Sequence, residues 1–77
     1  MPTVLRLGPY RFHFYSRENH EPAHIHVSRD DQEAKFWLKP VVLAANYGYA
    51  VEELRKIELH VRKHQDDLIH AWEKFHG

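Results

Sequence analysis

The sequence predicts an α+β domain, in which a small antiparallel β-sheet of about four strands, built as two hairpins, carries C-terminal helices on one face. Two observations predict this class. Between Thr3 and Lys39 apolar and polar residues alternate with a period of two, whereas from about Val51 the apolar residues recur every three or four positions. With 77 residues and no cysteine, the chain is expected to form a single domain, residues 1–77, without disulfides.

Four segments have the alternation expected of strands. Gly8-Pro9 predicts a turn between the first and second segments, and residues 17–22 predict a polar loop between the second and third. Arg29–Gln32 predicts a hairpin turn between the third and fourth segments. Pro40 then interrupts the alternation, so Val41–Leu43 is expected to add a short edge strand at most. The four segments are Thr3–Leu7, Tyr10–Ser16, Ala23–Ser28 and Glu33–Lys39.

The C-terminal third has one apolar stripe at helical spacing. A single helix over residues 51–76 would be about 39 Å long, which is long for so small a domain. We therefore expect one long kinked helix or two short helices, with the break near His64–Asp67, where Asp66 or Asp67 can cap a second segment. The stripe consists of Leu54, Ile57, Val61, His64, Leu68, Trp72 and Phe75.

The alternation divides the strand side chains between two faces. One face would meet the helical stripe to form the core; it carries Phe12, Phe14, Ile25, Val27, Phe36 and Leu38. The other carries Arg11, His13, Tyr15, His24, His26, Ser28, Lys35, Trp37 and Lys39. We expect this second face to be open to solvent, and its three histidines, its cations and its aromatic rings make it the candidate functional surface.

Charge and hydropathy narrow the classes of function. Lys+Arg and Asp+Glu both number 11, so the chain lacks the basic excess typical of nucleic-acid binders. Its eight histidines would make it cationic near pH 6, so RNA binding is neither predicted nor excluded. The longest apolar run, Val41–Ala45, is too short to span a membrane, and a cytoplasmic protein with no membrane contact is expected.

The motif His20-Glu21-Pro22-Ala23-His24-Ile25-His26-Val27 has the densest set of reactive side chains. His24 and His26 would emerge on the same face of a strand. A metal-independent ribonuclease needs a base for the 2′-hydroxyl, an acid for the leaving oxygen and a cation for the phosphate. His24 and His26 are therefore the candidate catalytic acid and base. The candidate substrate contacts, to phosphate or to stacked bases, are Arg11, His13, Tyr15, Lys35 and Trp37.

Two other interpretations stay open. No metal or other cofactor is expected, but Zn²⁺, if bound, would take His20, His24 and His26 as ligands. The glutamate that the cupin pattern requires soon after its histidine pair is not present. In the other interpretation the chain catalyses nothing, and the same face or a sheet edge binds a protein partner.

Segments along the whole chain resemble one family of small bacterial proteins. They are Pro2–Arg6, Tyr10–Ser16, Glu21–Val27, Ala34–Leu38, Val41–Asn46 and Ala71–Glu73. On these segments the chain resembles the domain-of-unknown-function family 4160, and the Glu-Pro-x-His-x-His-Val core is the most specific part. Ala23 and Ala50 depart from the family pattern, in which proline and serine are frequent at these positions.

The resemblance implies a partner more than an activity. The family has no established activity, and its genes commonly lie beside those of another small family, in the layout of toxin–antitoxin modules. The resemblance thus implies a small protein partner encoded by the neighbouring gene. The leading hypothesis is a toxin-like component that binds or acts on RNA through the polar face. Whether it is an enzyme stays open, as does homo-oligomerisation; a metal-independent, ribonuclease-like activity is the favoured enzymatic form.

Overall fold

Five antiparallel strands followed by two helices make up the fold in a computed structural model, which describes residues 3–15 and 20–76. The elements are β1 (Thr3–Leu7), β2 (Tyr10–His13), β3 (His24–Arg29), β4 (Gln32–Leu38), β5 (Val41–Tyr47), α1 (Val51–Lys63) and α2 (Gln65–His76). The strands lie in the sheet in chain order, each antiparallel to the next, so that β1 and β5 are its edges. The predicted α+β class is confirmed.

The fifth strand corrects the expected count of about four. Pro40 does end β4, but the chain reverses over Lys39 and Pro40, and Val41 pairs at once with Leu38. Val41 and Val42 have high strand propensity, and the pairing continues through Tyr47 with one irregularity in register, where Ala44 is the additional residue. The second strand, predicted over Tyr10–Ser16, ends at His13; Phe14 and Tyr15 are not part of it, and Ser16 lies outside the described residues.

The helical region is two short helices. α1 ends at Lys63 and α2 begins at Gln65, so the chain breaks at His64, inside the predicted window. The prediction that Asp66 or Asp67 caps the second helix is wrong, because α2 begins at Gln65 and both residues lie inside its first turn, where acidic side chains interact favourably with the helix dipole. Neither helix in the described part of the chain has the length and apolar character needed to cross a membrane.

The core lies between one sheet face and the helices. The six strand residues expected there are all at most 1% exposed, and cross-strand pairs such as Phe12 with Val27 and Ile25 with Phe36 fix the register. The helices contribute Ile57, Val61, Leu68 and Trp72. Phe75, predicted in the same stripe, is instead 43% exposed, because it lies in the last turn of α2.

Tyr49 fastens the connection between β5 and α1 to the core. Its side chain is 5% exposed, and its hydroxyl donates a hydrogen bond to the Val27 carbonyl at 3.0 Å. The Asn46 side chain closes the turn, accepting from the Tyr49 N–H at 3.0 Å and donating to the Tyr49 carbonyl at 2.9 Å. Burial raises the pKa of Tyr49 to about 12. This turn therefore determines where α1 begins over the sheet.

Candidate functional site

The predicted polar face is assembled as expected, but its histidines are not open to solvent. His26 lies between His13 on β2 and Lys35 on β4, and His24 is opposite Trp37. His13 and His24 are fully buried and His26 is 5% exposed. The expectation of an exposed histidine surface is therefore wrong, because side chains of this face and of α2 cover the rings.

Glu33 is the centre of the polar cluster on this face. Its Oε1 accepts hydrogen bonds from the Tyr15 hydroxyl at 2.8 Å and from Ser28 Oγ at 3.2 Å. Its Oε2 lies 3.2 Å from His26 Nδ1, and His13 Nε2 lies 2.7 Å from Ser28 Oγ. We call these five residues, His13, Tyr15, His26, Ser28 and Glu33, the Glu33 cluster.

Ring packing holds the Glu33 cluster together. The imidazoles of His13 and His26 stack with centroids 5.7 Å apart at 25°. Tyr15 packs edge-on against both, at 4.4 Å from His26 and 5.2 Å from His13. The Glu33 side chain is 28% exposed, so solvent reaches the cluster through its carboxylate.

The hydrogen bonds of Ser28 determine what the cluster can do chemically. Ser28 donates its hydroxyl hydrogen to Glu33, so in its bond with His13 it accepts, and His13 carries a hydrogen on Nε2. In a serine nucleophile triad the carboxylate instead binds the ring nitrogen remote from the serine. Here Glu33 Oε1 lies 4.0 Å from the same Nε2. The arrangement suits proton sharing between imidazole and carboxylate, and does not activate Ser28 as a nucleophile.

His24 is surrounded by aromatic rings. Its Nδ1 donates to the Pro22 carbonyl at 2.9 Å, which sets the tautomer of the ring. Its centroid lies 4.6 Å from that of Trp72 and 5.7 Å from that of Trp37. The predicted catalytic pair therefore shares a face, with centroids 5.1 Å apart, and His26 lies 3.2 Å from the Glu33 carboxylate.

The cations of the face are largely neutralised. Lys35 Nζ binds Glu21 at 2.5 Å and lies 4.6 Å from the centre of the Trp37 ring. Lys39 pairs with Glu73 at 3.5 Å, and half-buried Arg11 lies opposite Ser28. The proposed substrate contacts thus lie on one face, but two of its cations already have carboxylate partners.

The alternative metal ligands differ in exposure. His20 is exposed, whereas His24 and His26 are buried. Over residues 3–15 and 20–76, no group of three His, Asp or Glu side chains has an arrangement that could hold a metal ion.

Glu33 is the functional candidate that sequence reasoning missed. The signal was present in the hairpin: because the turn is Asp30-Asp31, Ser28 is directly opposite Glu33. Cross-strand neighbours two positions away are also within reach of long side chains, which accounts for the contact with His26.

The outer edge of β5 is a second candidate surface. Val42 is 49% exposed, Leu43 38% and Tyr47 65%, and the strand Val41–Tyr47 has no charged residue. Val42 is opposite Trp37 and Leu43 is opposite Phe36, so the apolar side chains emerge on both faces of the sheet. We call this surface the β5 edge.

Together these features define a small α+β protein with a five-stranded antiparallel sheet, a buried histidine–glutamate cluster and an apolar edge strand. The model of the family described as Domain of unknown function (DUF4160) matches residues 10–73, and the chain belongs to this family. The matched residues include the Glu33 cluster and the β5 edge. No curated protein and no solved structure matches the chain.

Proposed function

We propose that this chain is a protein-binding module that recognises an extended segment of a partner protein by strand addition at the β5 edge. The observation that carries the proposal is a seven-residue, uncharged edge strand with exposed apolar side chains on both faces. Within the described residues β5 pairs with β4 alone, so its other side offers backbone donors and acceptors to a further strand.

The composition of the edge supports a bound partner. Edge strands that must stay unpaired commonly carry lysine, proline or inward-pointing charges, and the β5 edge has none of these. Complete burial of a Val or Leu side chain contributes about 1.5–3 kcal/mol. Because Val42 and Leu43 are already partly covered, covering the remainder would contribute about 1 kcal/mol each, in addition to the backbone hydrogen bonds.

The partner proposed is the small protein that the family resemblance implies, encoded by the neighbouring gene. Binding is favoured over catalysis because His24, one of the two candidate catalytic groups, is fully buried and bonded to a backbone carbonyl. The pairing of Lys35 and Lys39 with carboxylates also weakens electrostatic attraction of nucleic acid.

The proposal is tested by comparing one substitution on the β5 edge with the same substitution on helix α1. Leu43→Lys places a charge on the β5 edge, whereas Leu59→Lys makes the same change at an exposed position of α1. Titration calorimetry with the purified neighbouring gene product should show binding to the wild type and to Leu59→Lys, and a loss of at least about tenfold in affinity for Leu43→Lys, equivalent to about 1.4 kcal/mol. Equal binding by both variants would remove the edge from the interface.

A second copy of the chain is the alternative partner for the β5 edge. Light scattering of the chain alone tests this alternative, because it measures whether the chain is a monomer or a dimer. A monomer at the concentrations used for calorimetry agrees with the proposal. A dimer that Leu43→Lys dissociates and Leu59→Lys preserves would instead assign the β5 edge to self-association.

A second candidate function, acid–base chemistry on RNA in a toxin-like role, is favoured by the Glu33 cluster. His26 and the carboxylate of Glu33 are 3.2 Å apart and can exchange a proton, and Tyr15 and Trp37 are half-buried rings at which a base can stack. We expect purified protein to cleave single-stranded RNA, and His26→Ala or Glu33→Gln to lower the rate at least about a hundredfold.

The control is His70→Ala, which removes an exposed histidine from α2. It should leave the rate of cleavage unchanged, and thermal unfolding of each variant separates loss of chemistry from loss of fold. Induced expression in bacteria gives the cellular readout: growth arrest by the wild type and not by His26→Ala. Wild-type protein that neither cleaves RNA nor slows growth would eliminate this candidate.

A further inference from the structure

A cavity of about 360 Å³ lies between the β1–β2 turn and α1, at the end of the sheet remote from Trp72. Its walls come from three parts of the chain: the turn with Leu7 and Pro9, the end of β3 with Arg29, and α1 with Lys56 and His60. Tyr10 also lines it. The volume is at the lower end of the range for small-molecule sites, about 300–1,000 Å³.

Arg29 is held in position at the wall of this cavity. Its Nη1 donates to Glu53 Oε2 at 2.7 Å, and the Tyr10 hydroxyl donates to the same oxygen at 2.8 Å. The Arg29 side chain is nevertheless 42% exposed. A guanidinium has five N–H donors, so the bond to Glu53 orients the group and leaves donors for another anion.

The two cations of the cavity wall, Arg29 and Lys56, differ in their carboxylate partners. Glu53 is the carboxylate in the network, and the hydrogen bonds from Tyr10 and then Arg29 lower its pKa, so it is ionised at neutral pH. It balances Arg29. In the described part of the chain, no carboxylate oxygen lies within 4.0 Å of Lys56 Nζ in an ion pair, and the His60 ring is beside it on the same wall. Lys56 is therefore the cation of this wall most available to a bound anion, although its charge also helps to lower the pKa of Glu53.

The remaining wall is apolar. Leu7 and Pro9 contribute aliphatic surface, and the rings of Tyr10 and His60 lie with centroids 6.1 Å apart and tilted by 54°. An apolar wall beside convergent cationic groups suits a ligand with a flat apolar body and an anionic group. Three nitrogen-bearing side chains from two elements match the several oxygens of a phosphate better than a single charge would.

We propose that this cavity binds a small phosphate monoester that carries a planar apolar group, with Arg29, Lys56 and His60 contacting the phosphate and Leu7, Pro9 and Tyr10 contacting the planar group. Adenosine monophosphate is the probe of this class. The site is on the other side of the sheet from the Glu33 cluster and is separate from the β5 edge, so it is independent of both proposed functions.

The test is a titration of the full chain by NMR with three probes: adenosine monophosphate, adenosine and inorganic phosphate. The monophosphate should bind saturably, with shifts centred on residues 7–10, Arg29 and His60, and at least about tenfold more tightly than either fragment. Equal affinity for adenosine and its monophosphate would overturn the cationic part of the proposal, and no saturation by the monophosphate at 10 mM, roughly the upper limit of a weak specific site, would overturn it entirely.

A matched pair of variants assigns the site. Lys56→Gln removes the cation most available to the phosphate, and Arg55→Gln makes the same change of charge at the adjacent exposed position of α1, which does not line the cavity. Lys56→Gln should weaken binding of the monophosphate about tenfold and Arg55→Gln should leave it unchanged. Equal effects of the two variants would mean that only net charge matters and would overturn the proposal. Both side chains are on the helix surface, so both variants should keep the wild-type melting temperature, which is measured alongside.

Discussion

Tyr49→Phe removes one oxygen atom and tests how much the hydrogen bond between the β5–α1 connection and the sheet contributes to stability. The phenol is 5% exposed and its hydroxyl donates to the Val27 carbonyl at 3.0 Å. A buried hydrogen bond of this kind contributes about 0.5–1.5 kcal/mol. We expect the free energy of unfolding at pH 7 to fall by about 1 kcal/mol, with the fold retained because the ring remains.

The same residue makes the effect depend on pH. Burial raises the pKa of Tyr49 from 10.0 to about 12 in the folded state. A raised folded-state pKa contributes stability that is complete below pH 10 and is lost as pH rises towards 12, since only the unfolded chain ionises in that window. The full loss is about 2.7 kcal/mol and the loss at pH 11 is about 1.4 kcal/mol.

Phenylalanine does not ionise, so Tyr49→Phe escapes this loss. The wild type should be the more stable protein at pH 7, and the two should have similar stability near pH 11. Urea unfolding followed by the fluorescence of Trp37 and Trp72, at several pH values, measures the difference, and other alkaline titrations cancel because both proteins contain them. A difference that stays constant from pH 7 to pH 11 would refute the assignment of the shift to burial of this phenol.

Three further changes have defined outcomes. Trp72→Ala removes a ring that contacts Phe14 and His24 and should cost about 3–5 kcal/mol in urea unfolding; a cost below about 1 kcal/mol would contradict its place in the core. Gly48→Ala should lower the melting temperature, because φ is +105° and the new Cβ would lie 3.2 Å from Gln32 Cγ; Gly8→Ala, at φ +57° and in open space, should lower it less. Glu53→Gln should make the free energy of unfolding depend less steeply on pH in the acid range. The hydrogen bonds from Tyr10 and Arg29 lower the pKa of Glu53, so the wild type loses their contribution to stability as the pH falls through that lowered pKa. The same pH dependence of the free energy of unfolding in both proteins at acid pH would show that these bonds are not formed.

Much of the fold could be predicted because local patterns determine it. Alternation placed Phe12, Ile25 and Phe36 on one face, and these residues are buried there. The change of period at Val51 located α1, and the expected break fell at His64. The full extent of β5 could not be predicted, since an apolar strand next to a proline has the same local pattern whether or not β4 continues to pair with it.

The site was harder to predict because its state depends on long-range contacts. The sequence shows that His13, His24 and His26 share a face, but it does not show that Trp72, 48 positions beyond His24, covers one of them. Nor does spacing show that Glu33 accepts a hydrogen bond from Tyr15, one of the predicted substrate contacts. Sequence patterns identify which side chains share a surface, and packing decides whether that surface is accessible.

The order of the strands in the sheet has a consequence for folding kinetics. Every strand pairs with the strand next to it in the chain, so each new strand closes only a short loop and no crossover is needed. Chains dominated by such local contacts fold faster than β-proteins in which distant segments must meet. The contacts of highest sequence separation are those of the helices, including the bond from Tyr10 to Glu53 across 43 positions. We therefore expect a rapidly formed sheet, on which docking of α1 and α2 is the later event.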